Sequence, residues 1–184
     1  DVDHALAVLA EEVPARLAAA RLGHGAVRVA GTPRRLLVEV DAVEPSTPAR
    51  DVTVRGPKVS AAFDAEGAPT KAAEGFARSR GTTVDALTRV TEKGAEHLAF
   101  VDHEAGRPAA EVLAEVLPEV LDALRFGRNM RWRPGSTTAF SRPVRWLLAL
   151  LGDDVVPLTW AGLAARRTTR LFRGAPDAEV ASAD

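Results

Sequence analysis

Alanine and leucine recur through residues 3–22 and predict a helix, which Pro14 must kink or restart and which Gly23-His24-Gly25 ends. Val27 and Val29 then alternate with Arg28, and Leu37 to Asp41 resume the alternation after a turn at Gly31-Thr32-Pro33-Arg34-Arg35. This is the pattern of a β-hairpin with a basic tip. Pro45-Ser46-Thr47-Pro48 reads as a linker, and Val52 and Val54 as a short strand ending at Gly56-Pro57. Residues 58–64 suit one or two helical turns, and 64–69 a polar turn. Thr70 can cap a helix over 71–80, with Glu74 near the position that completes a capping box. Gly81 stops it and Thr83 starts a shorter helix, 84–88, so residues 70–88 form a helix–turn–helix. Residues 90–104 read as a hairpin around Lys93-Gly94, with Leu98, Phe100 and Val101 packed.

Further on, Val112, Leu113, Val116, Leu117, Val120, Leu121 and Leu124 fall at helical spacing over 108–124, with Pro118 bending or splitting the helix. Ser141 can cap a second apolar helix, 142–151, with Pro143 in its first turn and Gly152 at its end. Residues 155–160 and 165–172 read as closing strands. Hairpins mixed with helices, without a βαβ rhythm, predict an α+β fold of β-hairpins and short antiparallel sheets packed with helices. The expected organisation is a helix plus hairpin over 1–44 and a main α+β body over 51–184, or one continuous domain.

Composition narrows the class. In 184 residues, 46% hydrophobic content suffices for a real core in one large domain or two small ones. The longest apolar run, residues 146–151, is far short of the roughly 20 residues that span a bilayer. Asp1 and Asp3 stand where a signal peptide would be basic. Without cysteine there is no disulfide framework, zinc knuckle or thiol nucleophile, and a reducing cytoplasm is permitted. Arginine far outnumbers lysine, while isoleucine and tyrosine are absent; this is the bias of a GC-rich genome, so an arginine means less here than usual.

The distribution of charge says more than its net value of −1. Residues 125–145 hold Arg125, Arg128, Arg131, Arg133, Arg142 and Arg145 and no acid. The last 60 residues total +5 and residues 1–124 total −6. A near-neutral chain with one basic stretch can hold a polyanion locally; equally, its arginines can solvate a helix and pair with the acidic half.

Several catalytic sets are missing: no glycine-rich phosphate loop, no H-E-x-x-H and no G-x-S-x-G. His97 and His103, on one strand, would lie roughly 20 Å apart, too far for one metal ion. The carboxylate pairs Glu11-Glu12 and Asp153-Asp154 read as solvated charges. The helix–turn–helix carries Asp85 where a groove-reading helix is usually basic, which favours a packing role. An editing pocket would need a nucleophile, a metal set or paired acids, and none is offered.

The informative stretches are Phe126-Gly127-Arg128-Asn129-Met130-Arg131-Trp132 and Phe140-Ser141-Arg142-Pro143-Val144-Arg145-Trp146, where arginines interleave with aromatics. On the predicted second helix Arg142, Arg145 and Trp146 would share a face. Guanidinium groups grip phosphates bidentately, and aromatic or guanidinium planes stack on bases. Trp132 and Trp146 are nonetheless expected in the core with arginines snorkelling around them. The candidate RNA-contacting residues are Arg128, Arg131, Arg142 and Arg145, the basic turn Arg34-Arg35, and the cluster Arg166, Arg167 and Arg170.

At these residues the chain resembles the N-terminal region of the β subunit of the bacterial-type, two-subunit glycyl-tRNA synthetase. The resemblance is carried, in order, by Thr32-Pro33-Arg34-Arg35-Leu36, Gly56-Pro57-Lys58-Val59, the run from Ala62 to Arg78, Lys93-Gly94, Met130-Arg131-Trp132, Arg142-Pro143-Val144-Arg145-Trp146-Leu147, Leu150-Leu151-Gly152 and Arg167-Thr168-Thr169-Arg170. The chain departs from the family in its opening and after Thr169. There the family's usual Arg-Gly-His-Arg-Phe is replaced by Arg170 followed by Leu171-Phe172-Arg173-Gly174. Its last residues, Ala181 to Asp184, resemble the middle of a family motif, so a fragment truncated at the C-terminus is expected, from a separate β subunit or an α–β fusion.

The resemblance implies a non-catalytic accessory region of a cytoplasmic glycine–tRNA ligase, contributing to tRNA binding and to subunit and domain assembly for ATP-dependent glycylation of tRNA. ATP and Mg2+ would act at the α-type catalytic core, with no cofactor in this fragment. The implied partners are tRNA(Gly), the catalytic α subunit or a fused α region, and the remaining β-subunit domains, with no membrane. The alternative is an inter-domain or inter-subunit scaffold without direct RNA contact.

Overall fold

Ala5, Leu9, Val13 and Leu17 recur every four residues, and in the computed structural model they form the buried stripe of helix α1 (Val2–Ala19). The structure describes residues 2–132, 135, 137–172 and 174–183. Pro14 lies inside α1 without dividing it. The helix ends before the predicted glycines. Arg21 takes a left-handed φ of 59°, and the N–H groups of Arg21 and Leu22 return to the carbonyls of Ala18 and Leu17, each at 2.9 Å. This is a Schellman closure with arginine where glycine is usual.

The elements that follow are β1 (Val27–Thr32), β2 (Arg35–Val40), β3 (Arg50–Lys58), α2 (Val59–Ala62), α3 (Lys71–Ser79), a 3-10 turn (Val84–Ala86), β4 (Thr88–Glu92), β5 (Ala95–Glu104) and α4 (Ala109–Ala123). Strands of two to four residues follow: β6 (Leu147–Leu148), β7 (Leu150–Leu151), β8 (Asp154–Val155), β9 (Thr159–Trp160), β10 (Leu163–Arg166), β11 (Thr168–Thr169) and β12 (Ala178–Glu179). Helices with several small, mostly antiparallel sheets make the fold α+β.

The chain divides into two units, Asp1–Pro48 with Arg107–Asp184, and Ala49–Gly106. This differs from a linker at 45–48 followed by one body over 51–184. Thr47 is buried; its N–H donates to the Arg107 carbonyl and its hydroxyl accepts from the Arg107 N–H, both at 2.9 Å. The Pro45 carbonyl accepts from Ala109 N–H at the start of α4. The proline-rich stretch is therefore an internal brace of the first unit, because its free backbone groups find partners.

In the first unit, α1 and α4 bury their apolar stripes in one core with Val156, Leu158, Trp160 and Phe126. Helix α4 runs unbroken through Pro118, with Ala109, Val112, Leu113, Val116 and Val120 buried. Burial of that face outweighs the hydrogen bond that proline removes. Arg16 of α1 bonds Glu12 at 2.8 Å and Glu119 of α4 at 2.5 Å. Trp160 Nε1 donates to Asp122 at 2.8 Å, and Phe140 meets Phe126 and Trp160 edge-on at 4.7 and 5.8 Å between centroids. The hairpin β1–β2 pairs Val27 with Val40 and Val29 with Val38, and these side chains pack on the core.

The predicted helix 142–151 does not form. Its residues are extended or irregular as far as β6, which pairs in parallel with β10, and β7, which pairs with β8 around a turn at Gly152. Val144, Leu147 and Ala149 are half-buried while Arg145, Trp146 and Leu148 are exposed. A short apolar run reads the same as helix or strand, and here pairing with β10 decides. Trp146, expected in the core, is exposed for the same reason.

In the second unit, the sheet order is β3-β5-β4, all antiparallel. Lys93 and Gly94 both have positive φ, 51° and 79°, the type I′ turn that the Lys-Gly pair announced. Pro57 is tolerated because β3 is an edge strand. Ala62, Ala73 and Leu98 are buried, with Phe63, Phe76 and Leu87 against them. The Thr70 hydroxyl donates to the Ala61 carbonyl at 2.8 Å and makes no cap bond, so the predicted capping box is absent. After α3 only a 3-10 turn follows, too short for a reading helix.

Candidate nucleic-acid interface

The nine candidate arginines all belong to the first unit. Arg34 sits in the β1–β2 turn, and Arg35 opens β2. Arg128 and Arg131 lie in the loop after α4, Arg142 and Arg145 in the extended segment before β6, Arg166 at the end of β10, and Arg167 and Arg170 on either side of β11. Seven of them (Arg34, Arg35, Arg128, Arg142, Arg145, Arg166 and Arg170) line one open groove of about 2470 Å³; Arg131 and Arg167 do not. Its lining takes in β2, residues 140–152 and 162–172, and core side chains of α1 and α4. Arg142, Arg145 and Trp146 do not share a helical face; they are exposed positions on an irregular segment, with half-buried Val144 between the two arginines.

Three candidates have structural work. Arg167 donates to the carbonyls of Asp153 at 2.7 Å and Ala181 at 3.1 Å and approaches Glu179 at 3.8 Å. Arg170 pairs with Asp177, and Arg35 donates to the Arg170 carbonyl. By contrast Arg34, Arg128, Arg131, Arg142, Arg145 and Arg166 are exposed, and their guanidiniums have no partner among the described residues. Arg133 lies outside the described residues.

Arg28 also lines the groove. It makes a two-pronged pair with Asp41 at 2.6 and 2.7 Å and a longer bond to Glu39 at 3.4 Å. Asp41 is held below the usual carboxylate range by that hydrogen bond, and Arg28 is raised by Asp41 first and Glu39 second. The described acids on the lining are Glu39, Asp41 and Asp177, each engaged by an arginine, against eight lining arginines. The groove thus keeps an excess of five positive charges.

Sequence reasoning missed the apolar part of the site. Of seven large apolar side chains that stand exposed, five (Leu37, Trp146, Leu148, Leu171 and Phe172) line the groove. Trp146 and the Leu-Leu pair carry a helical signal that hides them; Leu171 and Phe172, where the chain departs from the family pattern, were the available clue.

The histidines bond locally: His4 to the Arg125 carbonyl at 3.0 Å, His97 to the Gly56 carbonyl at 3.2 Å, and His103 to Asp51 at 2.8 Å. Among the described residues no group of three metal-ligating side chains occurs, and no helix is long and apolar enough to cross a membrane.

The family model of the glycyl-tRNA synthetase beta subunit matches residues 1–184. A glycine–tRNA ligase beta subunit of Myxococcus xanthus is 44% identical, over 96% of this chain and 27% of that protein. Its counterpart in Chromohalobacter salexigens is 47% identical, over 91% of this chain and 24% of that protein. A chloroplastic/mitochondrial glycine–tRNA ligase of Arabidopsis thaliana is 45% identical, over 87% of this chain and 15% of that protein. The chain spans about a quarter or less of the length of these relatives. Matched by the family model along its whole length, the chain belongs to the glycyl-tRNA synthetase beta subunit family.

Proposed function

We propose that this chain is a non-catalytic accessory region of a glycine–tRNA ligase and that it contacts tRNA through the arginine-lined groove. One observation carries the reading: five guanidiniums without a partner among the described residues (Arg34, Arg128, Arg142, Arg145 and Arg166) line one groove, instead of dispersing into ion pairs. Unpaired guanidiniums on an open surface are suited to phosphate, which they bind bidentately and with charge assistance. ATP and Mg2+ act at an α-type catalytic core in this scheme, and the chain works in the cytoplasm beside the α subunit, separate or fused, and the other β-subunit domains.

The test is binding of a tRNA(Gly) transcript to the chain by electrophoretic mobility shift. R142E/R145E, two exposed reversals at positions in no ion pair among the described residues, should weaken binding at least tenfold while the far-ultraviolet circular dichroism stays unchanged. Binding equal to that of the parent protein would reject the reading.

The exposed apolar side chains of the groove favour a second reading, a scaffold that packs against neighbouring protein domains without touching RNA. In that case the chain captures α or β partners and leaves tRNA in solution.

A further inference from the structure

A groove for phosphates alone needs no apolar lining, yet this one places Trp146, Leu148, Leu171 and Phe172 among its arginines. Phe172 and Leu171 are each 69% exposed, and Trp146 is 38% exposed. An aromatic face held open at that level, beside uncommitted guanidiniums, matches the two-part recognition of unpaired nucleotides: bases stack on rings while the backbone follows the positive charge. A duplex keeps its bases stacked inside and offers such a floor only its backbone.

Resting on the tRNA reading above, we infer that the groove holds a single-stranded segment of the RNA, with bases stacked on Trp146 and Phe172 and phosphates met by Arg142, Arg145 and Arg166. Charge complementarity selects this occupant. The described lining acids Glu39, Asp41 and Asp177 are already engaged by Arg28 and Arg170, which leaves the five guanidiniums that have no partner among the described residues uncompensated by them.

The test uses the whole chain and three fluorescein-labelled probes: an oligouridylate of about 12 nucleotides, a hairpin duplex of about 12 base pairs, and a poly-glutamate of matched charge. Fluorescence anisotropy should rank the oligouridylate first. W146A and F172A should each weaken it by roughly fivefold or more and leave the duplex unchanged. R142A/R145A should weaken both RNAs, and W146F should recover most of the affinity by restoring a stacking ring. These side chains are at the surface, and an unchanged melting curve for each variant separates lost binding from lost fold. Equal binding of duplex and single strand, with W146A and F172A silent but R142A/R145A defective, overturns the stacking proposal and leaves the tRNA reading standing. Failure of both RNAs to bind overturns both. Poly-glutamate binding as tightly as the oligouridylate, with the same sensitivity to W146A, makes the groove a polypeptide site and overturns the proposal.

Discussion

At the scale of single residues, the fold depends on a few positions where backbone groups or angles leave little choice. Arg21 holds a left-handed conformation that costs an L-residue about 1 kcal/mol and glycine almost nothing. R21G should therefore stabilise the chain by up to about 1 kcal/mol in denaturant unfolding, less what the more flexible unfolded chain returns. Thr47 is the reverse case: T47V keeps the shape but leaves the Arg107 N–H unpaired beside a buried site, and should cost about 1–3 kcal/mol. The Arg28–Asp41 pair sets a pH dependence. A carboxyl whose folded pKa lies below its unfolded value supplies stability that is complete above the unfolded value and is lost as pH falls through the depressed one. Thermal melts of the parent chain should show that loss on the acid side, and D41N should flatten it. The pair is open to solvent, which screens it, so the effect is small.

At the scale of elements, local patterns were legible wherever they were strong. Helix α4 could be read from its apolar spacing and the β4–β5 turn from Lys93-Gly94, because each signal lies in a few neighbouring residues. Residues 142–151 could not, because Leu147 and Leu148 become a strand only through the distant partner Ala165-Arg166. Pro45–Pro48 has a linker's composition and a brace's hydrogen bonds, which depend on Arg107 some 60 positions along. Gly56 shows the same dependence in the second unit. A β-carbon there would stand 2.6 Å from the Phe76 ring, closer than any real contact. G56A must displace Phe76 from α3 and should cost about 1–3 kcal/mol, measured as a lowered melting temperature with the sheet retained.

At the scale of the whole molecule, the arginines of the candidate site could be named from their interleaving with aromatics, but their convergence could not. The β1–β2 turn lies more than a hundred positions before the segment that precedes β6 and the end of β10, and all three line the groove. Nor was its apolar lining legible, since Trp146 and the following leucines carry the same hydrophobic signal whether buried or exposed. Among the described residues no metal-ligand cluster competes with this groove for a functional role. The central claim is that its unpaired guanidiniums meet phosphate, and the slope of log K against log salt for tRNA binding tests that most directly. Each phosphate contact contributes about 0.7–0.9 to the slope, so removing Arg142 and Arg145 together should flatten it by roughly 1.4–1.8. An unchanged slope in a folded R142A/R145A protein would contradict the account.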